Sequence, residues 1–162
     1  MNFTFKIIKK EDLQENHRKF FANKLKEQGK VKGNLLKKAD RCKMICIVTN
    51  EKEPVAIGRI KQKSESTFSK EKADIPEFRN IIDWELGYLF TNAKFTGRGI
   101  SSKIVKLLLD NNGDINLMAT TEIESNPAMV RILTKNGFQQ YGKIWRSAIH
   151  QNSLGLFLKL NK

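Results

Sequence analysis

The chain is poor in the residues that staple or punctuate small proteins. Among 162 residues there are two cysteines, two histidines, three prolines and two tyrosines. Cys42 and Cys46 lie four apart in a strand-like run at 41–48, too far apart on one strand face for an easy disulfide. With no histidine nearby they make a poor metal site, so both are expected to be buried packing residues. No run of about eighteen apolar residues is present, which excludes the usual membrane helix. Residues 1–6 enter a strand-like alternation without the apolar core of a signal peptide, and a cytoplasmic location is expected. Acidic residues are also scarce: 17 Asp and Glu against 30 Lys and Arg leave a net charge of +13.

What is present fits one domain over 1–162 with a real core. The chain is 40% hydrophobic and 29% charged, the composition of an ordinary globular protein. The basic excess is uneven. Residues 1–40 hold eleven Lys and Arg against five Asp and Glu, whereas 81–120 hold four of each. Lys9-Lys10, Lys30-Val31-Lys32 and Lys37-Lys38 supply the runs. Such a surface attracts anions at long range, whether a phosphorylated cofactor, an acidic substrate or nucleic acid, or it simply keeps the chain solvated. No aromatics interleave with the lysines as in a base-stacking platform.

Periodicity predicts a strand at 3–8 and a helix from Glu11 to about Gly29, with Leu13, Phe20, Phe21 and Leu25 on one stripe. A short helix at 34–38 and strands at 42–48 and 55–61 follow. Residues 62–80 are polar and read as a mobile loop over a site or as solvated filler. Then come a strand at 81–91, a helix from Gly99 to about Asn112, a strand at 115–121, a helix opened by Asn126-Pro127, and closing strands at 138–147 and 154–160. The order β, α, α, β, β, β, α, β, α, β, β predicts an α/β (α+β) fold. It has a mixed, mostly antiparallel sheet of about seven strands with helices on both faces.

The densest information lies in 89–102. A strand ending Leu89-Phe90-Thr91 leads to Thr96-Gly97-Arg98-Gly99-Ile100-Ser101-Ser102 and then to a helix marked by Ile104, Leu107 and Leu108. Backbone N–H groups at such a helix start have no intrahelical partner, and the helix dipole adds positive potential, so the turn is a seat for phosphate. A second motif runs Asn126-Pro127-Ala128-Met129-Val130-Arg131-Ile132-Leu133-Thr134-Lys135-Asn136-Gly137-Phe138.

Together the two motifs resemble the GNAT superfamily of N-acetyltransferases, over almost the whole chain. Gly97 and Gly99 match the inner positions of the family's Gln/Arg-x-x-Gly-x-Gly/Ala pattern, while Thr96 and Ser101 depart from its ends. Asn126, Gly137 and Phe138 match the second pattern, and Leu133 stands where many members carry tyrosine. The resemblance implies acetyl-CoA as donor and an amine as acceptor; no metal is expected, and a monomer or homodimer is. It places the coenzyme pyrophosphate on Thr96, Gly97, Arg98, Gly99, Ile100, Ser101 and Ser102. The pantetheine arm is placed along Leu89, Phe90 and Thr91, where this strand parts from the next in the family, with Asn126 as a further contact or simply a helix cap. The acceptor is placed among the first two helices, 62–80 and the closing strands, with Trp145 and Arg146 as lining or core.

The chemistry of amine acetylation requires a base, since an alkyl amine with pKa near ~10 is protonated at pH 7. Glu85 is the candidate, sharing a strand face with Gly87, Leu89 and Thr91; the alternative is an ion pair. Tyr141 is a weaker candidate acid for the departing thiolate, with water as its rival. The competing functions are a non-catalytic coenzyme A-binding sensor of the same fold and a basic RNA-associated protein.

Overall fold

The computed structural model describes residues 2–29 and 33–161; the Lys30-Val31-Lys32 run lies outside them. The strands are β1 (Phe3–Lys9), β2 (Cys42–Asn50), β3 (Glu53–Gln62), β4 (Trp84–Thr91), β5 (Leu117–Glu122), β6 (Gln139–Arg146) and β7 (Ser153–Lys159). The α-helices are α1 (Glu15–Gln28), α2 (Ile100–Asn112) and α3 (Pro127–Lys135). Hydrogen bonds order the strands β1-β2-β3-β4-β5-β7-β6, a mixed sheet in which β4 and β5 form a parallel pair.

The chain divides into two compact units, 1–62 with 86–113 and 63–85 with 114–162. In the first, β2 and β3 are joined by a two-residue turn at Glu51 and Lys52, both with positive φ. That matches the right-handed twist of a hairpin without any glycine. Strict alternation then sorts the side chains. Ile45, Ile47 and Ile57 pack with Phe21 and Leu25 of α1, and Phe90 joins them. Gly58 and Leu89, one residue out of phase, face α2: a Cβ on Gly58 would stand 2.5 Å from Ile104 and 2.7 Å from Leu89. The absent side chain lets α2 lie close on the sheet, and α1 and α2 therefore cover opposite faces.

The long N-terminal helix begins later than the periodicity predicts. Lys10–Asp12 is a single 3-10 turn, and α1 starts behind Gln14, whose side chain and that of His17 form a reciprocal cap. Gln14 N–H donates to His17 Nδ1 at 3.0 Å. His17 is buried, and burial, then Lys6 and Arg18, lower its pKa. The short helix expected at 34–38 is two 3-10 turns, Leu35–Lys37 and Ala39–Arg41. Both cysteines are free and buried. Burial raises the Cys42 thiol despite the nearby Arg59, and pushes Cys46 up to about 12.

The second unit overturns the reading of 62–80 as mobile loop or filler. Two 3-10 turns, Glu65–Phe68 and Pro76–Phe78, fold it, and Thr67, Phe68 and Ala73 are buried. Phe68, Ala73 and Ile82 pack on Met118, Leu156 and Leu158, with Tyr141 and Trp145 at the margin. Phe68 and Ala73, widely spaced in a polar stretch, have no period to announce them, yet they pack on the sheet.

Filling the Gly58 gap tests this packing. Gly58→Ala is expected to lower unfolding stability by ~1–3 kcal/mol, the usual cost of overpacking. A urea-denaturation midpoint unchanged from wild type would refute the close approach of α2.

Candidate functional site

In the first unit, β4 ends in a turn built by its own side chains. Asn92 Oδ1 accepts the Lys94 N–H at 2.9 Å, and Thr96 Oγ donates to the Ala93 carbonyl at 3.1 Å. Gly97 and Gly99 follow with φ of +78° and +75°. A Cβ at either would meet nothing within 4 Å, so the left-handed backbone, not crowding, requires glycine. Gly99 is the N-cap of α2 and no side chain caps that end. The first-turn N–H groups at Ile100, Ser101 and Ser102 thus have neither an intrahelical acceptor nor a capping side chain. Gly97, Arg98 and Gly99 are exposed while Ile100 is buried, which anchors the helix start and leaves the turn facing solvent.

The two departures from the family pattern have local explanations. Thr96 ties its own turn, as above. Ser101 Oγ lies 3.1 Å from Thr91 Oγ1, so a hydroxyl pair joins the end of β4 to the first turn of α2.

The edge of β4 carries one contact that sequence reasoning missed. Asn92 N–H donates to the Val55 carbonyl of β3 at 2.8 Å. By period two, Leu89 and Thr91 direct their backbone groups away from β3. Gln28, the last residue of α1, donates its Nε2–H to the Leu89 carbonyl at 3.3 Å, and its Oε1 is buried without a hydrogen-bond partner. Glu27 accepts from Asn92 Nδ2 and pairs with the buried Lys24. The end of α1 is therefore bonded to both β4 and the glycine turn. Nothing in the sequence flags a contact between residues sixty apart.

In the second unit, Glu85 is buried and its Oε1 accepts the Ser64 N–H at 2.8 Å. It lies in the paired stretch, Trp84↔Leu117 and Glu85↔Met118. Asn126 caps α3, its Oδ1 accepting from Met129 N–H at 3.2 Å. Leu133 is fully buried. The Tyr141 ring packs on Phe78, centroids 5.3 Å apart. Trp145 joins the same core cluster, and Arg146 is an exposed residue donating to the Gln151 carbonyl at 3.3 Å. His150, unremarkable in sequence, has its Nε2 3.1 Å from Glu122 Oε1. Among the described residues no cluster of potential metal ligands occurs, and no helix is long and apolar enough to cross a membrane.

No family model matches the sequence, and no curated protein matches it. Solved structures do match its fold. A chain of the NatC complex bound to Gag peptide and CoA superposes with TM-score 0.68 at 16% identity, covering 100% of this chain and 99% of that one. Arabidopsis thaliana NAA60 in complex with acetyl-CoA gives 0.70 at 10% identity, covering 98% and 99%. The Escherichia coli ribosomal-protein-S18-alanine N-acetyltransferase gives 0.65 at 12%, covering 98% and 95%. The chain has the fold of the GNAT N-acetyltransferases.

The hydroxyl pair at the start of α2 yields a direct test. A double-mutant cycle on Thr91→Val and Ser101→Ala is expected to give a coupling energy of about 1 kcal/mol. Strictly additive effects on unfolding would show that the pair contributes nothing.

Proposed function

We propose that the chain is an acyltransferase that moves an acetyl group from acetyl-CoA to a primary amine, by direct attack while both are bound. The observation that carries this reading is the glycine turn: two left-handed, solvent-facing glycines feed an uncapped helix N-terminus, which is what a pyrophosphate needs. Two neighbours in fold, the NatC chain and NAA60, are complexes with CoA or acetyl-CoA, which supports the same donor here.

In this reading Gly97, Arg98 and Gly99 bring backbone close to the phosphates, Ile100, Ser101 and Ser102 supply N–H groups, and Arg98 adds charge. Thr96 shapes the turn. The backbone of Leu89, Phe90 and Thr91 holds the pantetheine arm, and an N–H there polarises the thioester carbonyl. The Gln28 contact uses the Leu89 carbonyl, so it does not compete for that donor role. Asn126 keeps its role as the cap of α3.

Direct attack, rather than an acyl-enzyme, is supported by the two thiols. Both are buried and raised in pKa, and a nucleophilic cysteine must ionise. Proton removal falls to a carboxylate, Glu85 being the one that its strand position nominates. The coenzyme thiol, with a pKa near ~8.5, is a passable leaving group without an acid, so Leu133 in the tyrosine position does not forbid turnover. Tyr141, packed on Phe78, is the weaker candidate acid. The buried Leu133 also favours a second reading, a coenzyme-binding sensor without catalysis.

Calorimetry with acetyl-CoA tests the donor, and thiol release across a panel of amines separates enzyme from sensor. Gly99→Val is expected to weaken acetyl-CoA binding at least about tenfold, equivalent to ~1.4 kcal/mol. Arg98→Ala is expected to weaken it less, and most at low ionic strength. Absence of wild-type binding at about 1 mM acetyl-CoA would end the reading, as affinity that weak supplies only ~4 kcal/mol.

A further inference from the structure

We infer that Gln28 is a further holding point for the acyl donor: its side-chain oxygen accepts an amide N–H of the pantetheine arm laid along β4. This rests on the acetyl-CoA reading above, and every residue it uses belongs to the first unit.

Asn92 N–H is bonded to the Val55 carbonyl of β3 at 2.8 Å, so by period two the backbone groups of Leu89 and Thr91 point the other way. An arm that adds to such an edge pairs its amides with those groups. The arm of coenzyme A carries two secondary amides, and each brings one N–H and one carbonyl. It therefore needs acceptors from the protein as well as donors. One acceptor on this edge is the Leu89 carbonyl, and Gln28 Nε2–H already lies on it at 3.3 Å. A carbonyl has two lone pairs, so that bond leaves one free, and it sets the Gln28 carboxamide beside the path of the arm.

Chemistry fixes which end of that carboxamide faces where. The Leu89 carbonyl only accepts, so the end turned towards it must be the NH2. Oε1 is the other end, and it is buried with no hydrogen-bond partner among the described residues. A buried acceptor without a donor is costly, and most such groups in folded proteins have one. The side chain as a whole is only half-buried. The cation one turn back on α1 does not supply the donor, because Lys24 is buried and paired with Glu27. What Oε1 lacks is an N–H, and an N–H is what a secondary amide brings to the Leu89 position.

The helix end that carries Gln28 is fastened on both sides. Glu27 accepts from Asn92 Nδ2 and pairs with Lys24, which ties α1 to the residue after β4. Gly29 N–H donates to the Leu25 carbonyl at 3.1 Å and closes α1 directly after Gln28. The Gln28 backbone is thus fixed at the strand edge, and only side-chain torsions remain to adjust. Its carboxamide offers a donor and an acceptor in one plane, as a peptide group does. With the arm bound, Nε2 stays on the Leu89 carbonyl and Oε1 gains its donor. The backbone N–H groups of the edge are untouched, so the thioester carbonyl keeps its own donor.

Calorimetry on the full chain compares two probes, acetyl-CoA and 3′-phospho-ADP, the same nucleotide without the arm, the second by competition where its heats are small. Gln28→Met keeps the length of the side chain and removes both hydrogen-bonding ends. It is expected to weaken acetyl-CoA binding about five- to tenfold, the worth of one hydrogen bond, with 3′-phospho-ADP unchanged within about twofold. Gln28→Ala is expected to show the same selective loss, and it carries the test if Gln28→Met fails to fold. If 3′-phospho-ADP binds too weakly to measure, an unchanged Tm of the ligand-free variant takes its place as the control. Equal losses for both probes, or an unchanged affinity for acetyl-CoA, overturn the inference and leave the acetyl-CoA reading standing. So does tighter acetyl-CoA binding, the result for a side chain that merely covers the strand edge until the arm displaces it. A wild-type chain that binds neither probe at about 1 mM, or binds acetyl-CoA no better than 3′-phospho-ADP, overturns the placement of the donor itself, and this inference with it.

Discussion

The close seating of α2 on β3 at Gly58 sets the geometry of the glycine turn. Ile104 of α2 and Leu89 of β4 occupy the space a side chain would fill, so the helix lies close on β3. With the helix fixed there, the chain has only 92–99 in which to leave β4 and enter α2. A reversal that short needs backbone in the left-handed region, which glycine reaches at little cost and other residues do not. The uncapped N–H groups at the start of α2 are thus a consequence of packing one layer below. The same seating brings Ser101 within reach of Thr91 and directs Leu89 towards the helix.

Polar contacts then fix what packing leaves adjustable. Each connection that matters to the two candidate regions is bonded from within. Asn92 and Thr96 tie the glycine turn, Gln28 and Glu27 join it to the end of α1, and Ser147 and Asn152 shape the turn that carries His150. Individually such bonds contribute about 1 kcal/mol. Their larger effect is geometric, because a hydrogen bond at 3 Å removes rotamer freedom that hydrophobic contact tolerates. The net charge of +13 plays a different part: it raises the local concentration of anions without specifying any of them.

Strong local signals are legible in the sequence. The period-3.6 stripe of α2, the Asn126-Pro127 start of α3 and the alternation in β2 and β3 each depend on residues close in sequence, and each stands within a few residues of its expected place. Sequence and structure part where local and tertiary forces differ. At 62–80 the polar composition masks Phe68 and Ala73, which fold the segment because the sheet beneath them needs cover. At the start of α1 the helical stripe extends through Leu13, but the Gln14–His17 cap fixes the helix boundary two residues later.

Fold class, the glycine turn and the packing role of the cysteines follow from the order of residues, because they depend on period, backbone conformation and composition. Which polar groups meet is set by the folded arrangement of the elements. Gln28 and Leu89 are brought together by a helix end passing a strand edge. Glu122 and His150 meet because β5 and β7 pair antiparallel, Glu122 opposite Leu154, which returns the 147–152 turn to the end of β5. Pairings of that kind are set by strand register, and register is a property of the whole sheet, so no stretch of sequence read alone contains it.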